Sequence, residues 1–176
     1  MLRQLSFADI YEQYSDKVYS YIFLLVRNKE TAEDLTQETF YKAYKKWDEF
    51  QWNSKPDTWL IQIGRNLTYD YFRRKKLSQL FTKEKIELAN YETPQEILVK
   101  GEEVKQLYEA IHSLKIEYKD VLILRKIKEF SIVETAEILG WNEVKVKNAT
   151  KRAMDALKKV WDRRGGEVND ERFTKV

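Results

Sequence analysis

Cysteine is absent from the 176-residue chain, and glycine, proline and histidine are scarce, at five, two and one residues. Without a thiol there is no disulfide framework, no zinc-thiolate site and no cysteine nucleophile, and nothing asks for an oxidising compartment. Long hydrophobic runs are also missing. The longest, YIFLLV from Tyr21 to Val26, is far shorter than the roughly 20 apolar residues that cross a bilayer. Met1 to Glu12 lacks the basic-then-apolar pattern of a secretory signal. Together these absences predict a soluble intracellular protein. The catalytic inventory is equally thin. The single histidine, His112, sits in YEAIHSLK between apolar neighbours, there is no glycine-rich phosphate loop, and Asp and Glu are dispersed. These features exclude an enzyme and call for no cofactor or metal.

What is present is apolar mass and charge. Hydrophobic residues make up 43% of the chain, enough to bury a core. The net charge of +3 conceals a strong segregation. Residues 1–40 carry four basic and seven acidic groups, 41–85 eleven and five, and 86–120 four and eight. Residues 140–164 return to eight basic and three acidic. Two basic blocks separated by an acidic one suggest two surfaces for a polyanion, although each block read alone is equally a solvated helix face.

Apolar residues recur at three-to-four spacing with few breakers, which predicts an all-α protein. A first helix is expected over Phe7 to Arg27. A second, capped by Thr31 with Glu33 and Asp34 at its positive end, should reach Trp47. Asn53, Ser54 and Pro56 make DEFQWNSKPD a loop, and a third helix runs from Asp57 to Lys76. The segment 80–98 has weak periodicity and a proline and reads as a flexible linker, with helices resuming at about Pro94. The expectation is therefore two small helical domains, 1–79 and 99–164, with a frayed tail over 165–176.

The second domain contains the sharpest local pattern. In SIVETAEILGWNEVKVKNATKRAMDALKKVW, Ser131 and Glu134 form a capping-box pair, Ala136 permits a close crossing, Gly140 suits a left-handed helix end, and Asn142 caps a new helix. This spacing predicts a helix-turn-helix. Val146, Ala149, Ala153, Leu157 and Val160 form the expected buried stripe. Lys145, Lys147, Asn148, Lys151 and Arg152 face away, where they can reach phosphates or base edges. An amphipathic hairpin with solvated cations is the plain alternative.

The first domain contains TWLIQIGRNLTYDYFRRKK, residues 58–76, dense in rings and cations. On a helical wheel Leu60, Ile63, Leu67 and Tyr71 line one side. Trp59, Gln62, Asn66, Tyr69, Arg73 and Lys76 line another. A face of rings, amides and cations suits unstacked bases, which gain roughly 1–3 kcal/mol each by stacking. The preceding loop, with Trp47, Phe50, Gln51, Trp52, Asn53 and Ser54, offers aromatic walls and amides for an extruded base. Trp59 and Tyr71 fit a helical core as well, whereas Arg73, Arg74, Lys75 and Lys76 cannot be core.

The order AEDLTQETFYKAY (32–44), PDTWLIQIGRNLTYDYFRRKK (56–76) and LKIEYKDVLILRKIKEFSIVETAEILG (114–140), followed by a basic helix, resembles an extracytoplasmic-function (ECF) sigma factor of bacterial RNA polymerase. The resemblance covers residues 5–162. It implies a first domain that binds core RNA polymerase and melts the minus-ten promoter element, and a second that reads the minus-thirty-five element as duplex. It further implies an anti-sigma factor as partner, which in some cases holds the protein at the membrane. By position, Asp34, Gln37, Glu38 and Tyr41 match the polymerase contact, although without the resemblance they read as a solvated helix face. Gln51, Trp52, Asn53, Ser54 and Lys55 match the pocket for a flipped base. Arg65, Asn66, Tyr69, Arg73, Arg74, Lys75 and Lys76 lie on the helix matching the one that holds the displaced strand. Lys145, Lys147, Asn148, Lys151 and Arg152 match the minus-thirty-five reader.

The recognition helix departs from the common T-V-K-S-R-x-x-R-A, with Lys145, Asn148 and Ala149 at the first, fourth and fifth places. This removes a favoured phosphate or guanine contact and implies either an unusual target sequence or weak binding by this domain. Two other readings compete: a stand-alone helix-turn-helix regulator, dimeric through its acidic middle helix, and an interaction module that imitates a sigma factor.

Overall fold

The computed structural model of the protein describes residues 6–82 and 93–163. Regular structure among them is entirely helical, in keeping with the all-α expectation. The chain divides into two compact units, the first ending in sequence at Glu92 and the second beginning at Thr93.

The first unit begins with α1, Phe7–Val26, opened by a capping box in which the Asp9 amide donates to Ser6 Oγ at 3.2 Å and the Ser6 amide to Asp9 Oδ2 at 2.9 Å. It ends at Arg27, held left-handed at φ 54°. Helix α2, Lys29–Lys45, is capped by Asn28, whose Oδ1 accepts from the Thr31 amide at 2.8 Å. Thr31 is thus not the cap expected from sequence but the donor to it; the helix starts as soon as the chain leaves the left-handed residue, where Asn28 is in place. A 3-10 turn, Trp47–Glu49, and a loop lead to α3, Pro56–Thr82.

These three helices pack pairwise, and the apolar run Tyr21–Val26 is buried on every side, as an all-round hydrophobic helix end requires. The core phase of α3 differs from the wheel reading. Thr58, Leu60, Ile61, Gly64, Leu67 and Thr68 are buried, while Ile63 and Tyr71 are only half-buried. The reason lies in the smallest residue. A Cβ added to Gly64 would sit 3.2 Å from Thr39 Oγ1 and 3.3 Å from Ile22 Cδ1, so both partner helices press on α3 at this point. Buried hydroxyls beside the crossing are silenced locally: Thr36, Thr39 and Thr68 donate to the carbonyls of Ala32, Leu35 and Gly64 at 2.7–2.8 Å.

At 27 residues, α3 is about 40 Å long, against about 30 Å for the 20 residues of α1. Its residues from Arg73 to Leu80 are all exposed, so the cationic turns project beyond the body of the unit. The helix also continues to Thr82, three residues into the stretch read as linker; residues 83–92 of that stretch lie outside the described residues, as does the tail over 165–176.

The second unit starts with a short α4, Gln95–Leu98. Ile97 is 4% exposed, so the end of the expected linker is packed structure; because the adjacent Leu98 and Val99 are exposed, the apolar run ILV does not show which side chain is buried. Helix α5, Glu102–His112, buries Tyr108, Ala110 and Ile111. Helix α6, Ile116–Leu122, runs into a π-helical turn, Ile123–Ile127, that closes with the Lys128 amide on the Ile123 carbonyl at 2.8 Å. Arg125 donates to the Phe130 carbonyl and ties down the following loop.

The helix-turn-helix then forms as its local signals dictate. Helix α7, Ile132–Leu139, opens with the Ser131–Glu134 capping box and closes on Gly140 at φ 65°. There the Trp141 amide donates to the Ala136 carbonyl at 2.9 Å. Asn142 caps α8, Glu143–Arg163, accepting from the Lys145 amide at 2.8 Å. Val146, Ala153, Leu157 and Trp161 are buried along α8; Ala149 and Val160, read as core, are half-buried at the edges of that stripe.

Two substitutions test these constraints by chemical denaturation of the full chain. Gly64→Val should destabilise the first unit by about 1–3 kcal/mol through overpacking, while Gly64→Ala should change it by less than about 1 kcal/mol because helix propensity offsets the tighter contact. Gly140→Ala should cost about 1–2 kcal/mol from its left-handed backbone alone, since no atom lies within 4 Å of the added Cβ; Gly140→Asn should cost less.

Candidate nucleic-acid interfaces

Four rings gather where the loop meets α3. Phe50 stacks on Trp59 with centroids 4.6 Å apart and planes at 26°, and on Trp47 at 5.8 Å and 17°. Trp52 meets Trp47 edge-on at 5.5 Å and Phe50 at 5.0 Å. Trp59, which from sequence fits the outward face and the core equally, is a wall of this cluster. Trp52 is held left-handed at φ 59° and is 51% exposed. A bulky residue with a positive φ carries strain of order 1–3 kcal/mol, which persists where surrounding contacts impose it.

Beside the rings lies a cleft of about 260 Å³ lined by Lys46, Glu49, Phe50, Gln51, Asn53, Ser54 and Trp59. Three of the five expected loop residues, Gln51, Asn53 and Ser54, therefore line it. Asn53 Nδ2 donates to Gln51 Oε1 at 3.1 Å, which orients both amides. Trp52 and Lys55 are not among its lining residues. Lys46 and Glu49 were missed by sequence reasoning, because a 3-10 turn has no period that marks which side chains face a cleft.

The outward side of α3 carries Gln62, Asn66, Tyr69 and Arg73, each opposite Gly64 at 100° per residue. The Arg65 guanidinium lies over the Tyr69 ring at 4.1 Å, and Arg73 pairs with Asp70 at 2.8 Å. Arg73, Arg74, Lys75 and Lys76 are all exposed but do not share one face. They wrap around the projecting turns, with Lys75 reaching within 5.8 Å of the Tyr71 ring.

The start of α3 is anchored from across the unit. Lys17 on α1 pairs with Asp57 Oδ2 at 2.6 Å, while Asp57 Oδ1 accepts from the Thr58 amide at 2.9 Å. Burial, and then the Asp57 carboxylate, raise the Tyr14 phenol above its ordinary pKa, with Lys55 opposing them. This cluster joins residues 40 positions apart and left no signal in the sequence.

On α2, Asp34, Gln37 and Tyr41 are exposed and Glu38 is half-buried. Glu38 pairs with Lys42 at 3.4 Å, and Lys45 lies 4.5 Å from the centre of the Tyr41 ring. In the second unit Lys145, Lys147, Asn148, Lys151 and Arg152 are all exposed on α8, as expected from sequence. The Lys145 ammonium rests over Trp141 at 4.2 Å. His112 lies edge-on to Tyr108 with centroids 5.7 Å apart, and its Nδ1 is 3.1 Å from Lys119 Nζ. None of the described helices is long and apolar enough to cross a membrane.

A three-helix unit with an aromatic and cationic side, followed in the chain by a helix-turn-helix, is the architecture of a DNA-binding transcription factor. The family model for sigma-70 region 2 matches residues 10–77, and that for sigma-70 region 4 matches residues 105–157. The chain belongs to the ECF RNA polymerase sigma factors. It is 30% identical to the ECF RNA polymerase sigma factor SigX of Bacillus subtilis over 94% of this chain and 89% of that protein. To SigW of the same organism it is 34% identical over 88% of each chain. The fold is shared with the sigma factor RpoE of Bartonella quintana, solved in complex with the anti-sigma factor NepR (TM-score 0.75, 24% identity, 89% of this chain and 96% of that one). It is shared also with CnrH, solved with the cytosolic domain of CnrY (TM-score 0.67, 20% identity, 92% and 90%).

If Asp57 seats α3 and the loop before it, Asp57→Ala should lower the stability of the first unit by about 1 kcal/mol, through loss of the ion pair and of a carboxylate at a helix start. Lys17→Met, which keeps the packing and loses only the pair, should cost less in the same denaturation measurement.

Proposed function

We propose that this sigma factor directs core RNA polymerase to promoters by dividing the DNA between its units. The first opens the minus-ten element, and the second grips the minus-thirty-five element as duplex. The observation that carries the reading is the ring cluster of Trp47, Phe50, Trp52 and Trp59 beside the cleft at the start of α3. An extruded base stacks against the rings while Gln51, Asn53 and Ser54 offer hydrogen bonds to its edge. Arg65, Asn66, Tyr69 and the cations from Arg73 to Lys76 then hold the displaced strand along α3. Capture of unstacked bases shifts the duplex toward its open form, so binding energy rather than catalysis by this chain drives initiation. The polymerase supplies the chemistry.

On this reading Asp34, Gln37, Glu38 and Tyr41 dock on the polymerase, with the exposed Tyr41 ring as the apolar anchor of an otherwise polar patch. Lys145, Lys147, Asn148, Lys151 and Arg152 enter the major groove. We also propose an anti-sigma partner that occludes these surfaces in the cytoplasm or at the membrane; the two solved relatives of the same fold, RpoE and CnrH, support it, having been captured with NepR and with the cytosolic domain of CnrY.

Reconstitution with core RNA polymerase and a panel of promoters should give strand opening and run-off transcript. Failure to bind core polymerase, or tight duplex binding by the chain alone, would favour the stand-alone regulator. Trp52→Ala should reduce opening, followed by permanganate reactivity of unpaired thymines, more than it reduces binding of the closed duplex. Replacing Arg73, Arg74, Lys75 and Lys76 with Ala should weaken DNA binding and flatten the slope of log affinity against log salt by up to about 3; an unchanged slope would mark them as solvent-facing only.

A further inference from the structure

The residue furthest from the core of the recognition helix is not a cation. At 100° per residue, the line opposite the buried Val146, Ala153 and Leu157 runs through Val144 and Asn148 and on to Asp155. Lys147 and Lys151 flank this line on one side, Lys145 and Arg152 on the other. Val144 is 65% exposed, an apolar, β-branched side chain at the tip of a surface otherwise made of charges and an amide. From Asp155 onward the line turns acidic, which repels phosphates and limits groove contact to the first three turns of α8.

A helix seated in the major groove sets its outermost line on base edges and its flanks toward the phosphate rims. On the base edges, an apolar contact finds only one partner, the C5-methyl of thymine, and an amide pairs best with adenine N6 and N7. We infer that Val144 packs on a thymine methyl and Asn148, one turn later, pairs with a nearby adenine, so that the second unit reads A·T pairs at the centre of its site. This specificity rests on the reading of the second unit as a duplex reader. It replaces the contact that Ala149 cannot make and gives the unusual helix a definite target rather than weak binding.

The test uses holoenzyme assembled from the full chain and core RNA polymerase. Duplexes are selected from a library randomised over the minus-thirty-five window, then remade with deoxyuridine for each thymine and 7-deazaadenine for each adenine. One thymine-to-uracil change, which removes only a methyl, should weaken wild-type binding about 4-fold, the factor set by one buried methyl group. The same change should leave Val144→Ala unaffected. One 7-deazaadenine should cost the wild type about 5-fold, the lower end for a lost bidentate contact, and cost Asn148→Ala nothing. Both variants retain helicity by circular dichroism, because both side chains are exposed. Uracil that is neutral at every thymine, or a Val144→Ala penalty identical on thymine and uracil duplexes, overturns the inference. If the triple change of Lys147, Lys151 and Arg152 to Ala selects and binds the same duplexes as wild type, the duplex-reader role itself fails, and the inference with it.

Discussion

The first unit depends on the absence of one side chain. Gly64 lets α3 settle against both α1 and α2, with Thr39 and Ile22 filling the space that a Cβ would take. That contact fixes the rotation of α3, and rotation decides which residues face outward. Had the helix turned Ile63 into the core instead, Asn66 and Trp59 would both rotate toward the bundle, and Trp59 would leave the ring cluster. The polar side of α3 is thus a consequence of packing on its opposite side. Its position along the axis is set separately, by Lys17 holding Asp57 from α1.

The second unit is built on a different principle. Its geometry comes from chain-local bonds: the Ser131–Glu134 box, the left-handed Gly140 and the Asn142 cap. Each fixes a start or a stop within three or four residues, so the angle between α7 and α8 follows from the turn itself, and a small buried stripe suffices to hold it. The Lys145 ammonium over Trp141 adds a further local restraint at the head of α8.

This contrast explains what could be read in advance. The helix-turn-helix was legible residue by residue because caps and turns announce themselves within a short window. The phase of α3 was misjudged because Gly64 and Thr68 count as neither apolar nor large, and a wheel weighted by hydrophobicity passes over the residues that pack closest. Asn28 took the cap assigned to Thr31 because two capping side chains three positions apart offered two possible starts. Helix α4 starts where helix was expected to resume, near Pro94, but inside the stretch assigned to the linker; the Lys17–Asp57 pair escaped notice because no local pattern foretells a partner 40 positions away. The ring cluster was half legible: the aromatics of the loop stood out, but their mutual stacking, and the place of Trp59 among them, required the fold.

The projecting end of α3 has a further physical meaning. From Arg73 to Leu80 the helix has no core to lean on, and four adjacent cations repel one another along it. In water such a segment is held by backbone hydrogen bonds, with the acid Asp70 one turn back and the Tyr71 ring near Lys75 among its side-chain supports. A polyanion laid alongside would relieve the repulsion and order the turns at once. On the proposed reading, strand capture and helix stiffness in this segment would be one thermodynamic quantity, and the end of α3 would behave as a counterion-sensitive spring rather than a fixed strut.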